Sequence, residues 1–478
     1  MAKNTKDKVT LKDFPRNYWV VIMFEFFERG SYYGMMSFLS VYLVSDLDFS
    51  KESVGLIKST IQPLLYFLPI LSGAIADRMG YRKTLMVAFS LLGIGYFLTS
   101  QTTEFLGVFL SLIIMGFGAG AFKPVISGTI AKVTDERTST LGFGIFYWTI
   151  NLGAFLFPLI LVPILKNIDP TYAILASAIC TGAMLIPTIF LFKEPEREEH
   201  AKEPLGKTLV GILDKVWMVI LDWRFILFII IYSWFWILYF QMFDSVLWYV
   251  QAFVDPSDLN SFVNNLFGTN WTESVFGGLW SFDVEHVTVI NAMTIIILQL
   301  FISNIVKNTK ALPTMIVGIS LGTIGMAILA INNNIWVFMV GIIVFSIGEM
   351  TAHPKFISYL GRIAPQDKKA TYMGFGFLYG FFGSLIGGIL GAFLYVLYID
   401  NPMISFIRVK AAELSPSTVI PSDIQINEAL KIAESIGLSR AEVSTYASTT
   451  ELWLIFSSIG VICILGLLAY QKFIGARD

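Results

Sequence analysis

Glu25, Glu28 and Arg29 follow one another at i, i+3 and i+4 in a stretch that is otherwise apolar and aromatic. On a helix this spacing stacks the three on one face, with Tyr32 and Tyr33 a turn further along. Other charges sit in equally apolar surroundings. Lys123 follows a Gly116-x-Gly118-x-Gly120 ridge that permits close helix approach, Asp244 follows Gln241, and Glu349 has His353 one turn below it. An ionisable group near the middle of a membrane span costs about 2.5–3.5 kcal/mol on insertion scales, so it faces a cavity or a partner. The chemistry open to such carboxylates is proton exchange. Their pKa values move as they lose water and gain or lose a cation, which couples a proton to a change of conformation. Two readings stand. One is a structural ion-pair network in which Glu28, with Arg29 or Lys123, locks the first span to the fourth. The other is coupling, and the spread of charges favours it: a lock within one half of the chain requires neither Asp244 nor Glu349.

The elements that position these residues follow from composition. The 478 residues are 55% hydrophobic and 14% charged, against about 25% charged in soluble domains. With 41 Phe and 11 Trp, a water-exposed surface would be coated in apolar patches, so the solvent must be lipid. A formal net charge of −2 gives no basic field for a nucleic acid. Cys180 and Cys463 each lie in an apolar run and are placed like neither a disulfide nor a metal pair. His200, His286 and His353 are scattered, and no nucleophile stands beside a base. An enzyme, a metal site and an organic cofactor are therefore not expected.

Apolar segments of spanning length fall near 17–44, 54–76, 83–100, 104–131, 140–165 and 171–192, then near 223–252, 286–306, 312–331, 335–361, 371–398 and 452–472. The first run is too long, and carries too many charges, for a signal peptide. This predicts an all-α integral membrane protein with 12 transmembrane helices in two six-helix halves, 17–192 and 223–472. A tail (1–16), a linker (193–222) and a second tail (473–478) flank them. The 33 Lys and Arg concentrate in residues 1–16, in 193–215 and in the turns on the same side, whereas 254–284 contains none. Both termini are thus expected in the cytoplasm, and the protein in the plasma (inner) membrane. The sequence shows no obvious repeat between the halves.

Residues 205–221 read as an amphipathic helix along the interface. In the external insert 399–450, Ser422 and the Ser439-Arg-Ala-Glu442 box predict the N-caps of two short helices. Lys58, Arg224 and Lys355 are within snorkelling reach of the interfaces. His286 beside Glu285 reads as a solvated interface residue, and Trp234, Trp236 and Trp248 as lipid-facing. Asn270-Trp-Thr272 matches a glycosylation sequon on an outer loop. The seven glycines between Gly374 and Gly391 suit either bending or close packing.

The turn Gly73-Ala-Ile-Ala-Asp77-Arg78-Met-Gly80-Tyr-Arg82-Lys83 resembles the signature of the major facilitator superfamily. In chemical terms it is a latch: Asp77 can meet a helix N-terminus or an Arg, while Arg82 and Lys83 hold the inside surface. Within that superfamily the chain resembles the proton-dependent oligopeptide transporter family. The matching motifs are Glu25-Phe-Phe-Glu28-Arg29 followed by Tyr32-Tyr33-Gly34, then Tyr66-Phe-Leu-Pro69, Lys123-Pro124 and Phe146-Tyr147 through Asn151 to Gly153, and in the second half Asn291 and Gly348-Glu349 through Pro354 to Ala364-Pro365. The resemblance implies that Glu25, Glu28 and Arg29 link proton movement to substrate, that Arg29 and Lys123 attract a carboxylate, and that Glu349 with Asn291 receives an amino group. It also implies that Tyr33, Tyr66 and Asn151 line the site. Asp244 and His353 are further coupling candidates. The chain departs from the family at Gly30, where Phe is usual, at Met36, where a second Arg is usual, and at Ala292, His353 and Gly376. The linker 193–222 also lacks room for the two extra helices of typical bacterial members.

The resulting expectation is a proton-coupled symporter that imports short peptides or a related zwitterionic or anionic solute. It would be driven by the proton gradient and function as a monomer in the bilayer. The 17–192 half would rock against 223–472, with a gate salt bridge between Lys123 and Glu349 that separates when substrate enters. An antiporter or exporter on the same fold and a non-transporting receptor are the alternatives.

Overall fold

In the computed structural model, residues 9–135, 137–195, 205–417 and 420–474 are described. Among the described residues the principal helices are α1 (Arg16–Met36), α2 (Lys51–Met79), α3 (Tyr81–Gln101), α4 (Phe105–Val133), α5 (Ser139–Leu156), α6 (Pro170–Ala183), α7 (Trp223–Gln241), α8 (His286–Val306), α9 (Ala311–Ile328), α10 (Ile335–Ile363), α11 (Leu378–Tyr395) and α12 (Thr449–Phe473). Among the described residues 11 helices are long and apolar enough to cross a membrane. The remaining one, α1, holds Glu25, Glu28 and Arg29 within a single turn and a half. No strand occurs among the described residues. His200 and the rest of 196–204, within the linker, lie outside them, as do 1–8 and 475–478 of the tails.

The chain divides into two compact units, one of Met1–Met35 with Leu64–Met218 and the other of Met36–Pro63 with Val219–Asp478. The end of α1, the Leu39–Ser45 helix and the first turns of α2 thus group with the second unit. In the first unit α3 packs most extensively on α4 and then on α6; in the second, α9 packs on α10 and then on α12. These two pairings recur at an offset of six helices, whereas the extensive α7–α11, α8–α10 and α7–α12 packing belongs to the second unit. Small residues make the tightest pairs possible. A Cβ on Gly118 would meet the Ala88 carbonyl and Leu92 nitrogen at 2.8 Å, and one on Gly318 the Ala352 nitrogen at 2.7 Å.

Several helices are interrupted. A π-turn, Phe157–Leu161, carries α5 into Val162–Lys166. Asp244 sits in the break between α7 and the Ser245–Phe253 helix. The glycine-rich segment breaks at Gly376–Phe377, between Lys369–Phe375 and α11. Beyond the break the glycines serve close packing: a Cβ on Gly383 would meet Trp236 at 2.6 Å.

The amphipathic helix is present at Leu205–Leu221. The insert is more helical than its caps predict. Helix α11 continues through a π-turn, Val396–Asp400, into Asn401–Leu414, and two further helices follow at Ile426–Ser435 and Arg440–Ser444. Ser439 caps the last of these by accepting from the Glu442 amide at 3.2 Å. Ser422 caps no helix among the described residues: Gln425 holds the N-cap position, and the Ser422 carbonyl accepts from Arg408 at 2.9 Å. Asn270 lies in a helix, Thr269–Phe276, not in a loop, and the sequon's Thr272 is buried, bonded to the Thr269 carbonyl at 2.9 Å.

Candidate functional site

In the first unit, the i, i+3, i+4 spacing on α1 brings Glu25, Glu28 and Arg29 together, and all three are buried. The guanidinium donates to both Glu28 oxygens, with Nη2 2.6 Å from Oε1, and its Nε lies 3.6 Å from Glu25 Oε1. Its carbon sits 5.2 Å from the centre of the Tyr32 ring. The Glu28 fork is the geometry that makes an Arg–carboxylate pair strong. Arg29, not Lys123, thus answers Glu28. Lys123 on α4 is half-buried, donates to the Leu65 carbonyl at 3.4 Å and lies 5.3 Å from the Tyr66 ring centre, with no ion pair among the described residues. Tyr33 is half-buried beside Tyr32. Asn151 on α5 turns back to its own helix, donating to the Tyr147 carbonyl at 3.0 Å.

The signature turn is built differently from expectation. Gly80, at φ 97°, makes the left-handed turn from α2 to α3 that a side chain would strain. Asp77 accepts from the Tyr81 hydroxyl at 2.9 Å. The start of α3 is instead met by Glu194, whose two oxygens accept from the Tyr81 and Arg82 amides at 2.7 and 2.8 Å. A carboxylate there satisfies the two orphan donors and complements the helix dipole. Arg82 Nε donates to the Thr188 carbonyl at 3.1 Å, and Asn17 exchanges hydrogen bonds with the Lys193 backbone at 2.9 and 3.0 Å. The segment after α6 is thereby pinned to α1 and α3. Gly73 packs against Pro124 of α4, Arg78 is half-buried and Lys83 is exposed.

In the second unit, Glu349 on α10 is half-buried and accepts from Asn291 Nδ2 of α8 at 3.1 Å, while the same amide donates to Ser346 Oγ at 2.9 Å. Glu349 has no ion pair among the described residues. His353 lies one turn on, inside an aromatic group of Trp236, Phe356 and Tyr379, with Nδ1 3.4 Å from the Tyr232 hydroxyl. Trp236 is therefore core, not lipid-facing. Trp248 is buried too, donating to the Ser40 carbonyl at 3.0 Å.

Asp244 is buried in the α7 break and accepts from Ser40 Oγ and from Lys58 Nζ, the latter at 3.2 Å. Lys58 does not snorkel. It is 1% exposed, because a carboxylate and the Phe243 carbonyl at 3.4 Å replace its water. Lys355 is likewise buried, donating to the Thr309 carbonyl at 2.8 Å, whereas Arg224 is exposed against Trp223. His286 is buried against Trp280 and Phe282, and its Nδ1 accepts from the Asp283 amide at 3.0 Å. One ion pair was missed altogether: Lys51 Nζ and Asp400 Oδ2, 2.7 Å apart and both buried. Both residues border polar loops, where a charge gives no signal until the fold brings the two segments together.

The family model described as Major Facilitator Superfamily matches residues 21–277 and 259–407. The chain belongs to that superfamily. Among curated proteins it is similar to dipeptide and tripeptide permease B of Photorhabdus luminescens, at 27% identity over 194 residues, 40% of each chain. The match thus spans less than half of that permease's length. Among solved structures it resembles an auto-inhibited POT family peptide transporter (TM-score 0.69, 17% identity, 97% of this chain and 98% of the other). It also resembles the nucleoside transporter NupG (TM-score 0.66, 15% identity, 95% of this chain and 99% of the other). Two transporters named for different solutes fit almost equally well, so the fold alone leaves the substrate class to the site.

Proposed function

We propose that this superfamily member is a proton-coupled symporter importing short peptides or a related zwitterionic or anionic small solute by alternating access. The observation that carries the reading is the division of charge in the first unit. Glu25, Glu28 and Arg29 satisfy one another in a buried cluster, and Lys123 is left without a carboxylate among the described residues. A cation held in place with no counter-charge is a receptor for a substrate carboxylate, and an adjacent acid pair sharing one guanidinium is a place to store a proton. In the second unit Glu349, oriented by Asn291 and without a cationic partner among the described residues, is suited to an amino group. The peptide permease and transporter names among its relatives support this solute class.

In this reading α1 is the twelfth span, its charges facing the pathway, and both termini are cytoplasmic in the inner membrane. Tyr33, Tyr66 and Asn151 line the cavity, and Asp244 and His353 contribute to coupling. The Gly73–Lys83 turn, with Asp77, Arg78 and Gly80, latches the cytoplasmic face. Lys123 and Glu349 pair when the cavity is empty and part when substrate enters. The monomer needs no cofactor beyond the proton gradient. Uptake by proteoliposomes under an inward proton gradient, against a panel of di- and tripeptides, amino acids, organic anions and nucleosides, tests this. Accumulation of a zwitterion or anion is expected. Uptake of nucleosides alone, or of nothing, would reject the reading.

A further inference from the structure

The insert between α11 and α12 is a small folded body. Ile404, Ile407 and Ala411 of its first helix are buried, as are Ala429, Ala433 and Val443 of the other two. Phe406 stacks on Tyr446 at 3.7 Å between ring centres, and Arg408 binds the Pro421 and Ser422 carbonyls at 2.7 and 2.9 Å. These contacts make the insert an apolar cluster of its own. Polar contacts join it to the 36–63 segment of the same unit: Asn427 Nδ2 donates to the Val44 carbonyl at 2.9 Å, and Lys51 at the first residue of α2 pairs with Asp400 in the π-turn that begins the insert. The Lys51 ammonium lies 5.0 Å from the centre of the Tyr395 ring and 5.8 Å from that of Trp248.

The joint is not packed like a core. Two cavities of about 380 and 290 Å³ border it, and both are lined by Val44, Lys51, Asp400 and Asn427. Spaces of this size with polar walls hold water. Water on both sides lets the ammonium and carboxylate rehydrate as they part, which removes much of the cost of separating a buried pair. The same charges sealed in apolar packing would have no such route.

We propose that the insert helices Asn401–Leu414, Ile426–Ser435 and Arg440–Ser444 form a lid seated on the 36–63 segment, that Lys51 and Asp400, at the start of the insert, are its latch, and that the latch opens when the transporter loads from the insert face. The last clause rests on the proposed transport function. The lid itself does not, and it is tested without substrate. In a background with Cys180 and Cys463 replaced by serine, Ile399→Cys places a thiol beside Asp400 at a buried position lining the larger cavity. A membrane-impermeant maleimide added from the insert face should label it slowly. Asp400→Asn or Lys51→Met should raise the rate roughly tenfold by shifting the lid equilibrium, and the exchange Lys51→Asp with Asp400→Lys should return it towards the parent rate. An unchanged rate in the single variants, or an exchange variant that labels as fast as they do, overturns the latch. Hydrogen exchange of the unmodified protein is the second measurement, independent of any variant's folding. Amides of 426–435 exchanging well ahead of those of α12 support a lid, and equal protection overturns it. A silent uptake panel alongside latch-dependent labelling would reject transport and keep the lid; the reverse would reject the lid alone.

Discussion

Lys58 Nζ lies 3.9 Å from Met36 Sδ and 3.2 Å from Asp244 Oδ1, so a cation stands beside the very residue where related transporters usually carry an arginine on the first helix. Met36 fills the apolar side of the site and Lys58 supplies the ammonium. In this chain the ammonium beside Met36 comes from the second helix.

Removing only one partner of this pair should be costly. Lys58→Met leaves Asp244 buried without its cation, a change that costs about 3–5 kcal/mol in comparable pairs. Lys58→Met with Asp244→Asn removes both charges and should recover most of that loss. Unfolding followed by tryptophan fluorescence in detergent checks the order: native, double variant, single variant. A single variant as stable as the native protein would mean that the pair contributes nothing.

Gly30 is explained by Phe157. A Cβ on Gly30 would run into the ring of Phe157, which the π-turn after α5 directs onto α1. The ring of Phe157, from the π-turn after α5, fills the space beside Gly30. Gly30→Phe alone should be overpacked, costing about 1–3 kcal/mol. Combined with Phe157→Ala it should regain stability, because one ring then fills the space of one ring. The double-mutant cycle on unfolding temperature reads this coupling directly, and additive losses would refute the exchange.

Much of the fold was legible because lipid imposes a simple rule: apolar runs of about 20 residues must be helices. The i, i+3, i+4 cluster on α1 was legible for the same geometric reason, since its partners share one helix. Partners on different segments were harder to see. Lys58 looked like an interface lysine because sequence shows depth only roughly, and Asp244 is 186 positions away. Asp77 was expected at a helix start that Glu194 occupies, because the loop carrying Glu194 is brought back by the Asn17–Lys193 hydrogen bonds. Trp236 and Trp248 read as lipid-facing by composition and are core: Gly383 on α11 lets Trp236 of α7 approach closely, and Trp248 donates to the Ser40 carbonyl.

Glu194 gives a prediction within the first unit. Glu194→Ala removes the acceptor from the Tyr81 and Arg82 amides, and caps of this kind are worth about 0.5–2 kcal/mol. Glu194→Gln keeps one acceptor oxygen and loses the charge that complements the helix dipole, so it should fall between the two. Proteolysis of the 192–195 segment in membranes should accelerate in the order native, Gln, Ala. Equal rates for all three would show that the segment is held by Asn17 alone.

The coupling assignment is tested most sharply at Glu25 and Glu28. If protons enter transport through this pair, Glu25→Gln or Glu28→Gln makes one site permanently neutral, and the protein can no longer trade a proton against conformation. Uphill uptake driven by an inward proton gradient should fall to background, while exchange of labelled for unlabelled substrate at equal pH should persist, since exchange needs no net proton movement. The two positions should not behave identically. Glu28 is held by both guanidinium nitrogens and Glu25 by one longer contact, so Glu28→Gln also frees Arg29 and should weaken exchange affinity through the altered cation. Glu25→Gln should leave that affinity nearly native. Loss of exchange in both variants would make the cluster a structural lock, and survival of uphill uptake in both would place the coupling proton elsewhere.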